Sequence, residues 1–115
     1  MTTHTLKPLL RSTSVALALF TLAAAGAQAR DAAAGRAKAQ MCMVCHGLVG
    51  VSTAPDAPHL AGQPAIYLSA QLRAYRAGER KHEVMGVIAR TLTNDDIDNL
   101  AAWYASIQIE AVEPR

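Results

Sequence analysis

Cys42-Met43-Val44-Cys45-His46 is the stretch of this 115-residue chain whose residue types and spacing are made for chemistry. Two thiols separated by two residues, followed at once by an imidazole, match the C-x-x-C-H pattern of covalent haem attachment. The spacing has a physical use. Each sulfur can form a thioether to one of the two vinyl groups of a single haem, and the adjacent ring of His46 is then directed at the iron as an axial ligand. Other chemistries fit this pair less well. As a disulfide, Cys42 and Cys45 would close a loop too small to constrain the unfolded chain. A zinc half-site would have only His59 and His82 downstream to complete it, with no second Cys pair. A thioredoxin-like dithiol needs a βαβ setting, which the sequence lacks.

An iron used for electron transfer takes a second axial ligand. Met41 and Met43 flank or interrupt the attachment motif and are poorly placed to reach around to the far face. Met85 lies 39 residues after His46, in a segment with no helical stripe beside Gly86 and Val87. It is the favoured ligand over a plain core-filling role. His82 is its rival, and a bis-imidazole iron would have a lower potential than one with His and Met. His59, next to Pro58, reads as a surface residue.

The elements that must position these groups are helical, and no run of alternating β-branched residues reads as strand. A first helix is expected over 31–40, with Asp31 in its first turn. The stretch 47–62 holds three Gly and two Pro and reads as irregular loop. A second helix starts at Pro64, carries Leu68, Leu72 and Tyr75 on one face, and stops at Gly78. The third is capped by Thr93, with Asp95 and Asp96 in its first turn and Leu92 and Ile97 spaced as a hydrophobic staple. Ile97, Leu100, Ala101, Tyr104 and Ile107 form its apolar stripe.

Residues 1–29 read as a secretory signal peptide. Lys7 and Arg11 make a positive end, an apolar run of about eleven residues follows, and Ala27-Gln28-Ala29 supplies the small-residue cleavage site. The run is shorter than the roughly 20 residues a membrane span needs. Cleavage after Ala29 leaves an 86-residue domain, 30–115, with nine basic and nine acidic residues. That balance excludes a basic nucleic-acid binder. With 17 alanines and no Phe, those 86 residues have little to build a core from, and a covalently held macrocycle would supply the missing apolar bulk.

In the order of its motifs the chain resembles the class I c-type cytochromes, in particular their small bacterial single-haem and diheme-type branch. The resemblance rests on Cys42 to Gly47; on Gly50, Ser52, Pro55, Pro58 and Leu60-Ala61-Gly62-Gln63; on Tyr67-Leu68 with Gln71-Leu72; on Gly78-Glu79-Arg80; on Met85; and on a C-terminal helix with Leu92-Thr93, Asp96-Ile97, Leu100-Ala101 and Tyr104. It implies an all-α fold of three main helices around one haem c. It further implies that Cys42 and Cys45 hold that haem, that His46 is the proximal ligand and Met85 the distal one, and that the carbonyl of Pro58 accepts the other ring N–H of His46. The first and third helices are then expected to cross near Gly35, faced by Ile97, Leu100 and Tyr104. Relatives commonly carry Pro where this chain has Val87, so a looser Met85 is expected, with His82 or Lys81 better able to replace it at raised pH.

The function expected from this is that of a soluble periplasmic one-electron carrier rather than an enzyme. Its donors would be a quinol-oxidising complex or a dehydrogenase, and its acceptors an oxidase or reductase. Alternatives are a subunit docked permanently on a dehydrogenase or reductase, and a haem ligand-binding protein. Met43, Val44, Ala61, Gly62 and Gly86 are expected around the haem edge. Arg73, Arg76 and Arg80, with Lys81 beside them, form either a patch that steers an acidic partner or a plain solvated helix face.

Overall fold

The computed structural model describes Met1 and residues 30–114; the expected signal peptide therefore lies outside the described residues, Met1 apart. Five α-helices and no strand occur among them: α1 (Ala32–Lys38), α2 (Met43–His46), α3 (Ala65–Ala77), α4 (Glu83–Arg90) and α5 (Asn94–Ser106), with a 3₁₀ turn at Ala39–Met41 between α1 and α2. No described helix is long and apolar enough to cross a membrane.

The three expected helices are present as α1, α3 and α5, and two shorter ones, α2 and α4, stand beside them. The first expected helix tightens into the 3₁₀ turn, and the attachment motif itself folds as the single turn α2. The stretch around Met85, expected to be non-helical, instead forms α4. Val84, Met85 and Ile88 do stand at helical spacing and share a cleft wall. The stripe lasts only two turns and has Gly86 inside it, so it was faint against the surrounding loop. Val87 lies within α4, where a Pro would remove a backbone donor.

Local chemistry explains where the helices begin. Asp31 is the N-cap of α1, its carboxylate accepting from the N–H groups of Ala33 and Ala34 at 2.8 and 3.1 Å. Pro64 is the N-cap of α3, one residue outside its expected first turn. Thr93 caps α5 through a reciprocal box: its hydroxyl accepts from Asp96 N–H at 3.1 Å, and the Asp96 carboxylate accepts from Thr93 N–H at 2.9 Å. That backbone bond, with the Thr93 hydroxyl and the Lys38 ammonium at 3.2 Å, holds the Asp96 carboxyl below its ordinary range. Leu92 and Ile97, both buried, complete the staple.

The frame closes where α1 crosses α5. A Cβ on Gly35 would run into the backbone carbonyl of Asn99 and come within 2.9 Å of Trp103 Cβ. The partners at the crossing are therefore Asn99 and Trp103. Ile97, Leu100 and Tyr104 instead join Ala39, Leu68, Leu92 and Ala101 in the core. Asn99 Oδ1 accepts from Asp31 N–H at 2.8 Å, and the Arg36 guanidinium lies 5.4 Å from the Trp103 ring centroid. Arg73 and Arg76 on α3, and Arg80 just beyond its end, each have a partner within the protein, although Arg80 remains exposed. Arg73 pairs with Asp98 at 2.7 Å; Arg76 donates to the Leu92 carbonyl at 3.0 Å and to Asn94 at 2.6 Å; Arg80 donates to Gln71 at 2.6 Å and stacks on Tyr75. Two of these cations clamp α3 to the start of α5.

Two outcomes follow for stability. Gly35→Ala forces the crossing apart and lowers the unfolding free energy by about 1–3 kcal/mol, measured by denaturant titration. Asp96→Asn removes a carboxylate whose folded pKa is depressed, so its stabilisation is complete above the unfolded carboxylate range near about 4 and fades as pH falls through the lower folded value. Thermal unfolding from pH 7 downward is expected to show a wild-type advantage that shrinks on acidification.

Candidate haem-binding site

α2 is too short to be stable alone and is held by its neighbours. The His46 N–H donates to the Cys42 carbonyl at 2.9 Å, and Gly47 N–H donates to Met43 at 3.0 Å. This turn, with Cys42 as its N-cap, brings both thiols and the imidazole to a cleft of about 440 Å³ walled by α2, the 47–62 loop, α3, α4 and α5. Leu68, Leu72, Ile88 and Leu100 supply its apolar lining. The size suits a cofactor pocket, typically about 300–1,000 Å³.

His46 is 7% exposed, and its Nδ1 lies 2.9 Å from the Pro58 carbonyl oxygen. A carbonyl only accepts, so Nδ1 carries the proton and Nε2 keeps its lone pair for a metal. Pro58 is suited to this role because it contributes a C=O and nothing else. The loop that presents it is braced by Ser52, His59 and Gly50. The Ser52 hydroxyl, buried, donates to the Cys45 carbonyl at 2.9 Å and accepts from Ala54 N–H at 3.0 Å. Its N–H donates to His59 Nδ1 at 2.9 Å, so the exposed His59 also serves as an acceptor. The Gly50 carbonyl accepts from Leu60 and Ala61 at 2.7 and 3.1 Å, and its Cα lies so close to Tyr104 that a Cβ would fall 2.7 Å from the ring.

Cys42 is half-buried and Cys45 exposed, and neither is in a disulfide. Burial pushes the Cys42 thiol up, disfavouring the thiolate that a zinc site or a dithiol redox centre would need. An uncharged thioether suits the same wall. Among the described residues no group of three or more His, Cys, Asp or Glu is placed to hold a metal ion by itself. Tyr104, 3% exposed, also lines the cleft, and its hydroxyl is enclosed with no hydrogen-bond partner. Burial first, and the adjacent Cys42 next, push its ionisation upward, so it stays a neutral phenol. A buried orphan hydroxyl on a cofactor-sized apolar cleft fits a group that fills it.

Cys42, Cys45, His46, Pro58 and Met85 all line this one cleft, Met85 half-buried from the first turn of α4. His82 lies on the same wall, its Nδ1 accepting from Met85 N–H at 3.2 Å. The expected edge residues are less well placed. Val44 stands at the mouth, 89% exposed, whereas Met43 packs against the core and Ala61 is buried. Met41 and Tyr67 line the cleft instead. Tyr104 was legible only as a stripe position; its polar tip toward the cleft had no signal in the sequence.

Comparison with known proteins agrees with this geometry. The cytochrome c family matches residues 32–108. Cytochrome c-554(548) of Halomonas halodenitrificans is 44% identical over 81 residues, 68% of this chain and 98% of that protein. The crystal structure of reduced cytochrome c4 from Pseudomonas stutzeri superposes with a TM-score of 0.66 at 37% identity, over 70% of this chain and 47% of the other. A thiosulfate dehydrogenase from Marichromatium purpuratum gives a TM-score of 0.66 at 40% identity, over 70% of this chain but only 20% of its own. With a cleft of this composition and a match across its folded part, the chain belongs to the cytochrome c family, electron-transfer proteins that carry covalently attached haem c.

Proposed function

We propose that the chain is a periplasmic one-electron carrier whose single haem c is held by Cys42 and Cys45, with His46 and Met85 as axial ligands. The observation that carries this reading is the orientation of His46: a buried ring whose Nδ1 is engaged by Pro58 and whose Nε2 is left for a metal, in the same cleft as Met85. Bound haem supplies an iron that gains and loses one electron. The protein's own residues do the rest. The Pro58 carbonyl fixes the His46 tautomer and raises its basicity. Leu68, Leu72, Ile88 and Leu100 keep water from the cleft. A His and Met pair holds the potential above that of a bis-imidazole site. Once haem is bound, His46 and Met85 would leave no free position at the iron for a small ligand, and electron exchange would be the remaining activity.

Export rests on the leader pattern in residues 1–29. Redox proteins are the partners: a quinol-oxidising complex or a dehydrogenase as donor, an oxidase or reductase as acceptor, met through brief contacts of modest area. A second reading has an observation of its own. One similar solved chain is a thiosulfate dehydrogenase, and a relative from Stutzerimonas stutzeri, 42% identical over 69 residues, is named a thiosulfate dehydrogenase electron acceptor. The same domain would then sit on a periplasmic dehydrogenase as its electron exit. Co-purification with a larger chain separates this from a free carrier.

The ligand assignment is tested by the spectrum of haem-matured protein. Wild type is expected to be low-spin with the ferric sulfur-to-iron band, to retain haem after denaturation, and to ignore carbon monoxide when reduced. Met85→Ala is expected to lose that band, bind carbon monoxide and fall in potential. An unchanged ferric spectrum in Met85→Ala removes Met85 as the ligand.

A further inference from the structure

His82 is the residue on the cleft that the electron-transfer reading leaves without a role. It sits in extended backbone, φ −164° and ψ 130°, as the N-cap of α4. Its Nδ1 accepts from the N–H of Met85 at 3.2 Å, and its carbonyl accepts from Gly86 N–H at 2.8 Å. Met85 is the third residue of the helix, one of the positions whose N–H has no acceptor within the helix itself.

The geometry points to His82 as a positioning residue that holds Met85 in the cleft by capping its backbone. The inference rests on Met85 being the sulfur ligand. α4 depends on its cap more than most helices. It has only eight residues, with Gly86 and the β-branched Val84 and Val87 among them, so its intrinsic helical tendency is low. The ring is itself oriented from α3. Tyr75 meets it edge-on at 6.3 Å between centroids; Arg80 stacks 4.7 Å from the other ring, and Gln71 receives an Arg80 hydrogen bond at 2.6 Å. Capping also settles the rivalry at the iron. A neutral imidazole that accepts on Nδ1 carries its proton on Nε2, so it has no lone pair left for a metal while it caps.

The test uses ferric, haem-matured protein titrated with imidazole, which competes with the sulfur for iron. Wild type is compared with His82→Ala, His82→Asp and Met85→Ala. Losing a cap raises the ligand-off population about fivefold, so His82→Ala is expected to bind imidazole about fivefold more tightly. His82→Asp, whose carboxylate is a strong N-cap, is expected to return to within about twofold of wild type. Met85→Ala reports separately on the ligand reading. If it loses the sulfur-to-iron band while His82→Ala binds imidazole as wild type does, the capping role is overturned and the ligand assignment stands. If His82→Asp behaves like His82→Ala, the ring itself is required and capping is overturned. If Met85→Ala keeps the wild-type band, both readings fall together.

Discussion

The hydrogen bond from His46 Nδ1 to the Pro58 carbonyl is the contact on which the rest of the molecule depends. Without it the imidazole has two interchangeable tautomers and a free ring torsion; with it, one nitrogen is committed and the other is aimed. The bond spans 12 residues, so the intervening loop must fold to a fixed shape. Ser52 bonds to Cys45 on one side and to His59 on the other; the Gly50 carbonyl collects Leu60 and Ala61; and Gly62 N–H reaches the Tyr104 carbonyl on α5 at 2.9 Å. The orientation of one ring is thus passed through backbone bonds to the C-terminal helix.

The second constraint is volume. Ile97 and Leu100 are the largest side chains wholly removed from solvent, and much of the remaining core is alanine. A chain this poor in bulk cannot close around its own centre. It closes at its periphery, where α1 meets α5 at Gly35, and leaves a cleft for a cofactor in the middle. The charges follow the same economy. Lys38 with Asp96, Arg73 with Asp98, and Arg76 on the Leu92 carbonyl each tie elements together around the cleft. Exposed pairs add little individually, but Arg76 also satisfies a backbone carbonyl, and the polar contacts of Thr93 and Asp96 fix where α5 begins.

Much of this was legible in the residues themselves. The attachment motif is a local pattern of rare residue types, and caps such as Thr93 are written in adjacent positions, so both could be read without tertiary information. The close approach at Gly35 and the Pro58 carbonyl followed from resemblance to a family. Neither could be derived from spacing, because each depends on a partner far along the chain. What stayed hidden was of one physical kind. α4 is stabilised by facing the cleft and by a histidine cap, and histidine is not among the residues from which a helix start is ordinarily read. The row Arg73, Arg76 and Arg80 looked solvent-facing because its acceptors, Asp98, the Leu92 carbonyl and Gln71, come from other turns and other helices. Ser52 and Tyr104 show the same limit: a hydroxyl's role is decided by which backbone or cavity it meets.

The three histidines of the folded domain divide the work by tautomer. His46 donates from Nδ1 and so offers Nε2 to a metal, while His59 and His82 accept on Nδ1 and so withhold theirs. The same side chain is made a ligand or a brace by the polarity of one backbone partner: a carbonyl makes the first, an N–H the second. On the proposed ligand set this gives the cleft discrimination without sterics, since both other imidazoles are engaged by backbone N–H groups where they stand. It also pairs the two walls. His59 steadies the loop that carries Pro58 behind His46, and His82 steadies the turn that carries Met85, so each proposed axial residue has a neighbouring imidazole holding its support in place. In a domain with so little core, binding polar side chains to backbone next to the ligands limits motion where a loosened ligand would matter most.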